Sequence, residues 1–233
     1  MAHRLGIQSP LRAELGLALG TSEVTLLEMV SAYGTLAAGG VRTPPSAIRR
    51  ILDNRGRVLE EHFPEGQSVL RPATVTILTH VLEGVVERGT GRRARALGRP
   101  LAAKTGTTQD AADAWLLGYS PSLVAGVWIG YDTVRSLGAH ETAATLALPL
   151  WMQFMRAALD GSPPEAFTVP GSLVPITVNY YTGLPTYPQD PDAVTEYFIR
   201  GTEPRRAATA GAAAPLPPPA APPSPSAPPP DTR

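Results

Sequence analysis

Cysteine is absent from this 233-residue chain, and lysine occurs once, at position 104. The first absence excludes disulfides, thiol nucleophiles and thiolate metal sites, and it fits either side of a membrane. An excess of charge is missing too. Twenty acidic and 20 basic residues leave a formal net charge of zero, so no basic stripe argues for nucleic acid. No stretch approaches the ~20 apolar residues that a bilayer-spanning helix needs. Met1 to Pro10 lacks the charged segment, apolar core and small-residue cleavage site of a secretory signal, so the chain as written is expected not to leave the cytoplasm unaided.

What is present centres on that single lysine. It heads the run Lys104-Thr105-Gly106-Thr107-Thr108, in a chain whose other long basic side chains are all arginine. A lysine spared by a coding bias toward arginine is expected where a compact ammonium is needed rather than a planar fork. A Ser-x-x-Lys nucleophile motif needs a serine three places before its lysine, and Leu101 stands there. Any serine that Lys104 serves is therefore expected from outside the chain.

Periodicity divides the chain into helical and extended stretches. Thr25-Leu26-Leu27-Glu28 has the form of a capping box, and apolar residues at helical spacing predict a buried helix over about residues 26–38, ended by Gly39-Gly40. Ile48 to Leu52 and Arg57 to Glu61 flank Asp53-Asn54-Arg55-Gly56 and predict a peripheral hairpin. Pro72 suits the first turn of a second helix, with Val75, Leu78, Val81, Leu82 and Val85 marking one face before Arg88-Gly89 closes it. Strand periods follow at Leu101 to Thr108, Ala114 to Tyr119 and Val124 to Tyr131, implying a mainly antiparallel sheet. Thr145 to Leu159 predicts a helix with Leu146, Leu150, Phe154 and Ala158 as its stripe, widened by Trp151 and Met155; Pro149 either kinks it or marks its true first turn. Residues 161–206 read as an irregular extension with a strand and turn at Asn179 to Gly183. The Ala/Pro-rich residues 207–233 read as a disordered tail.

A strand that borders a cleft can offer hydroxyls and backbone N–H groups to a carboxylate or oxyanion, and glycine lets the ligand approach the main chain. For the tripeptide Lys104-Thr105-Gly106 alone, chance association in a strand is the stronger explanation. Its surroundings change that balance. Lys104 to Thr108, followed by Asp113-Ala114-Trp115, Gly118-Tyr119-Ser120-Pro121 and Gly126-Val127-Trp128-Ile129-Gly130-Tyr131-Asp132, closely resembles the end of the transpeptidase domain of bifunctional class A penicillin-binding proteins. Leu5-Gly6-Ile7, Leu17 to Gly20, Glu23-Val24-Thr25, Ala32 to Thr35, Gly39-Gly40 and Gly89-Thr90-Gly91 resemble the same family's approach to that motif.

The resemblance implies an α+β fold like that of serine β-lactamases, an antiparallel sheet flanked by helices, of which this chain carries a part. It covers residues 1–160 as the back half of a catalytic domain. In the family, Ser-x-x-Lys, Ser-x-Asn and Lys-Thr-Gly meet in one cleft, and only the last is present here. By that resemblance Lys104 supplies positive potential across from the serine. Thr105 and Thr107, with Gly106 between them, receive the carboxylate of a D-alanyl-D-alanine stem peptide or a β-lactam, and the N–H of Thr107 completes an oxyanion hole. No metal or cofactor is implied. The parent is expected at the extracytoplasmic face of the cell membrane, held by an anchor outside this chain, and the chain alone is expected to be inactive. Two departures, Ala103 before the lysine and Ala143-Ala144 in place of a glycine pair, bear on loop shape.

Other candidates are weaker. His3, His62, His80 and His140 lack metal-ligand spacing. Asp110 and Asp113 suit a turn or strand end better than acid–base work, and Trp115 and Trp128 suit the core first and a cleft wall second. Two rival functions stand beside the transpeptidase reading. One is a non-enzymatic module that binds peptidoglycan or a protein; the other is a self-contained β-lactamase-like hydrolase, with Ser31, Ser120 and Ser122 as the nearest serines.

Overall fold

The computed structural model describes residues 1–205; the expected tail, 207–233, lies outside the described residues. The chain divides into two compact units after Leu173.

In the first unit, helix α1 (Leu26–Ala37) starts at the capping box that its sequence announces. Thr25 Oγ1 accepts the Glu28 N–H at 3.2 Å, and the Glu28 carboxylate accepts the Thr25 N–H at 2.9 Å. The same carboxylate accepts the Ser9 hydroxyl and the N–H groups of Gln8 and Ser9, so it ties the N-terminal segment to the helix start. The Ser9 hydroxyl, then the backbone donors, hold the Glu28 pKa down at about 2. After the helix, Gly40 has a φ of 99°, and a Cβ there would lie 2.6 Å from the Leu70 carbonyl oxygen, so only glycine fits. Four short strands follow. β1 (Val41–Arg42) pairs with β4 (Gln67–Ser68), and between them β2 (Arg50–Leu52) and β3 (Val58–Glu61) form the expected exposed hairpin, whose turn Asp53 closes by accepting the N–H groups of Arg55 and Arg57.

Helix α2 (Pro72–Glu87) leads to a three-stranded antiparallel sheet of β5 (Ala102–Thr107), β6 (Ala114–Tyr119) and β7 (Val124–Ile129), with β6 central. The Ser120 turn joins β6 to β7, with Ser120 Oγ accepting the Leu123 N–H at 3.1 Å. Strand alternation separates two faces. On one, Ala103, Leu116 and Ala125 pack under helix α3 (Ala147–Ala158); on the other, Ala102 and Tyr119 pack with Leu36 of α1 and with Val75 and Leu82 of α2. A Cβ on Gly118 would lie 2.6 Å from the Trp151 ring, and one on Gly126 would lie 2.6 Å from Val30 of α1. Helices α3 and α1 therefore sit directly on glycines of the sheet from opposite sides.

In α2 and α3 the spacing predicts only part of the buried stripe: Val75 and Leu82 of the one and Trp151 and Met155 of the other are buried as expected, and the remaining positions differ. In α3 the buried residues are Ala147, Leu148, Trp151 and Met155, whereas Leu150 and Phe154 are exposed. The helix is turned by one residue, about 100°, because Trp151 is the largest side chain and its Nε1–H finds the Ala125 carbonyl at 3.1 Å. Pro149 lies within the first turn rather than at a kink. In α2 the buried stripe is Val75, Thr79, Leu82 and Val86, leaving Leu78 and Val81 facing outward at 40% and 57% exposure. Thr79 takes a core place because its hydroxyl bonds the Tyr119 hydroxyl at 2.9 Å.

The expected irregular extension is more regular than its composition predicts. Strands β8 (Leu173–Asn179) and β9 (Ala193–Ile199) pair, and Asn179 organises the intervening turn. Its Oδ1 accepts the N–H groups of Tyr181 and Thr182, each at 3.1 Å, and its Nδ2 donates to Asp190 at 3.0 Å. The Thr186 hydroxyl, then Asn179, hold the Asp190 pKa below the usual carboxylate range.

Candidate functional site

Strand β5 changes character halfway. Ala102 and Ala103 are fully buried, whereas Lys104 and Thr107 are exposed and Thr105 and Gly106 half-buried. The register places Lys104 opposite Leu117 and Gly106 opposite Trp115, on the α1 side. Thr105 lies opposite Leu116 and Thr107 opposite Ala114, on the α3 side.

The ladder also fixes where the backbone points. The Thr108 N–H donates to the Asp113 carbonyl at 3.2 Å, so even-numbered residues of β5 face β6, and the N–H groups of Thr105 and Thr107 turn to the outer edge. Among the described residues no strand pairs with that edge. The Lys104 ammonium donates to the carbonyl of Thr105 on the same side. One strand edge thus gathers an ammonium, two hydroxyls and two outward N–H groups, which suit an anionic oxygen ligand.

Both hydroxyls are held from elements that sequence reasoning did not connect to them. Thr107 Oγ1 accepts the Ala143 N–H at 3.1 Å, from the loop before α3, and Thr105 Oγ1 lies 2.7 Å from Thr90 Oγ1, just beyond α2. A hydroxyl that accepts one bond keeps its proton for another partner. Ala143 was marked in the sequence as a departure affecting loop shape, and it is the loop's anchor on the strand. Gly89-Thr90-Gly91, which the sequence offers only as a family landmark, is the local signal for Thr90.

Asp113 works at the strand end, as its sequence context predicts. Its N–H donates to Thr108 Oγ1 and its carboxylate accepts the Trp128 Nε1–H, both at 2.8 Å. A Cβ on Gly130 would strike both Trp128 and Asp113. Trp128 and Trp115 lie with ring centroids 6.3 Å apart, on the face of the sheet that carries Lys104 and Gly106. Trp128 is 40% exposed and so walls this open end rather than filling the core. Asp110 adopts a left-handed conformation, φ 60°, in the loop between β5 and β6.

The remaining candidates stand apart from this edge. His3 contacts the Ile7 carbonyl, His62 pairs with Glu60 and His80 with Glu83. Ser120 is buried and its Oγ accepts turn N–H groups, and the Ser31 carbonyl accepts the Thr35 hydroxyl inside α1.

Residues 9–148 match the family model of the penicillin binding protein transpeptidase domain. The chain is 40% identical over 194 residues to penicillin-binding protein 1A of Aquifex aeolicus, an alignment covering 83% of this chain and 27% of that protein. Its fold is similar to the crystal structure of penicillin-binding protein 1A from Haemophilus influenzae, with a TM-score of 0.79 and 28% identity, covering 88% of this chain and 36% of that one. It is also similar to the PonA1 protein of Mycobacterium tuberculosis solved in complex with penicillin V, with a TM-score of 0.62 and 30% identity, covering 72% and 51% of the two chains. The chain spans about a quarter of the length of the curated relatives it matches.

Proposed function

From this chain's membership of the penicillin-binding protein transpeptidase family, we propose that it is the Lys-Thr-Gly half of a peptidoglycan D,D-transpeptidase. Its substrate is the D-alanyl-D-alanine end of a stem peptide, which a β-lactam mimics. The reaction transfers the acyl group of the penultimate D-alanine to a serine, releases D-alanine, and then passes the acyl group to a neighbouring amine. That serine and its Ser-x-x-Lys lysine lie outside residues 1–233, in the same polypeptide or a second one.

The observation that carries the reading is the open edge of β5. Lys104 holds positive potential there. Thr105 and Thr107 donate to the peptide carboxylate, and the N–H of Thr107 donates to the oxyanion as it forms. Such a donor is typically worth ~10²–10³ in rate. The transfer consumes no cofactor and needs no metal, since a serine alkoxide and a hydrogen-bonded oxyanion suffice for acyl transfer. The complex of a similar protein with penicillin V is consistent with a β-lactam as ligand.

Leu78 and Val81, one turn apart on α2, expose an apolar stripe at 40% and 57%, which favours this reading over a self-contained binding module. The parent protein acts, on this proposal, at the extracytoplasmic face of the membrane, where its substrate is. No helix among the described residues is long and apolar enough to cross a membrane.

The test is exposure to a fluorescent penicillin. Residues 1–233 alone should form no denaturation-resistant adduct, and the same chain supplied with a Ser-x-x-Lys segment from a relative should form one that Lys104→Ala suppresses. An adduct with the chain alone refutes the assignment of the nucleophile to another segment.

A further inference from the structure

We propose that Thr90 is a positioning residue of the carboxylate site, setting the hydroxyl of Thr105 so that the pair presents one proton to an anionic peptide terminus. This rests on the transpeptidase reading above. It adds a residue from outside the Lys-Thr-Gly strand.

The local fold is built to deliver this side chain. The N–H groups of Gly89 and Gly91 both donate to the Val85 carbonyl, at 3.1 and 3.0 Å, folding the chain back tightly on the end of α2. A Cβ on Gly89 would lie 2.9 Å from Val85 Cα, closer than real side chains come, and Gly91 is buried with 3.3 Å to the same carbonyl. Glycine is needed at 89 and a side chain at 91 would be tight, and the one side chain between them reaches β5, with Thr90 Oγ1 2.7 Å from Thr105 Oγ1.

Two hydroxyls in mutual contact hold two protons, and their shared bond uses one. When Thr90 donates to Thr105, the Thr105 proton is left for the ligand, and accepting that bond makes it a better donor. Without Thr90, the Thr105 hydroxyl is free to rotate among staggered positions, of which only some aim at the carboxylate. Thr107 is held in the same manner by the Ala143 N–H, so both hydroxyls of the motif are oriented from behind.

The experiment is an NMR titration of the full chain with N-acetyl-D-alanyl-D-alanine and, separately, with its C-terminal amide, followed at the amides of Thr105 and Thr107. The wild-type chain should prefer the acid. Thr90→Val should weaken binding of the acid by about tenfold, the scale of a hydrogen bond to a charged group, and leave the amide unchanged. Thr90→Ser should restore wild-type affinity. In a Thr105→Val background, Thr90→Val should have no further effect, which keeps the test available through a double-mutant cycle with Thr90→Ala if the valine variant folds poorly. Unchanged acid affinity in Thr90→Val, or equal loss for acid and amide, overturns the proposal and leaves the transpeptidase reading standing. A wild-type chain that does not distinguish acid from amide overturns both.

Discussion

The two faces of the central sheet are finished to different degrees. Toward α3, the face is closed from Ala103 through Leu116 to Ala125 by Leu148, Trp151 and Met155, all buried. Toward α1, it is closed only at the end where Ala102 and Tyr119 meet Leu36, Val75 and Leu82. At the other end Lys104 is exposed and Trp128 partly so. The closed face holds the larger buried cluster, and the proposed ligand-binding groups gather where both faces run out at the β5 edge, Lys104 on the α1 side and Thr105 and Thr107 on the α3 side. A sheet that serves as one wall of a cleft needs this division, because a wall must be rigid behind and bare in front.

The comparison can be broken most severely from behind. Trp151→Ala should destabilise the chain by about 3–5 kcal/mol, since it removes the largest fully buried side chain and leaves a cavity against Gly118. Urea unfolding measures this, and a cost near zero would show that the α3 face is not the stable one. Gly118→Ala should cost about 1–3 kcal/mol through the clash of its Cβ with the Trp151 ring.

At the N-terminal edge the effect is smaller and depends on pH. The hydrogen bonds from Ser9, Thr25 and Gln8 hold Glu28 at about 2 against an ordinary value of 4.5. A depressed folded value means that the contribution to stability is fully present above about 4.5 and is lost as the pH falls toward 2. Glu28→Gln should remove this dependence, and an NMR titration midpoint near 4.5 in the wild type would contradict it. Smallest of all, Leu78→Glu and Val81→Glu should each change stability by no more than about 0.5 kcal/mol while improving solubility, because both side chains are exposed. A large loss would mean that this stripe is already buried.

Legibility from sequence followed the range of the interactions. The capping box of α1, the β6 strand and the antiparallel sense of the sheet were readable because each depends on neighbours close in sequence. The stripes of α2 and α3 were legible only in part, since each helix carries more apolar residues than its single buried side can take. The choice between stripes is made by Trp151 finding the Ala125 carbonyl and Thr79 finding Tyr119, contacts 26 and 40 residues apart. The site behaved likewise. Lys104, Thr105, Gly106 and Thr107 stood out as a run, whereas Thr90 and Ala143 reach them across 15 and 36 residues, and the local patterns around those two residues do not tell which strand they meet.

The central claim, that the open edge of β5 receives a segment bearing Ser-x-x-Lys, is tested most directly by amide hydrogen exchange with and without such a segment from a relative. The account predicts new protection at Thr105, Thr107 and the start of α1 around Leu27, with exchange across the α3 face unchanged. Protection confined to the α3 face, or none anywhere while the segment is bound, would contradict it.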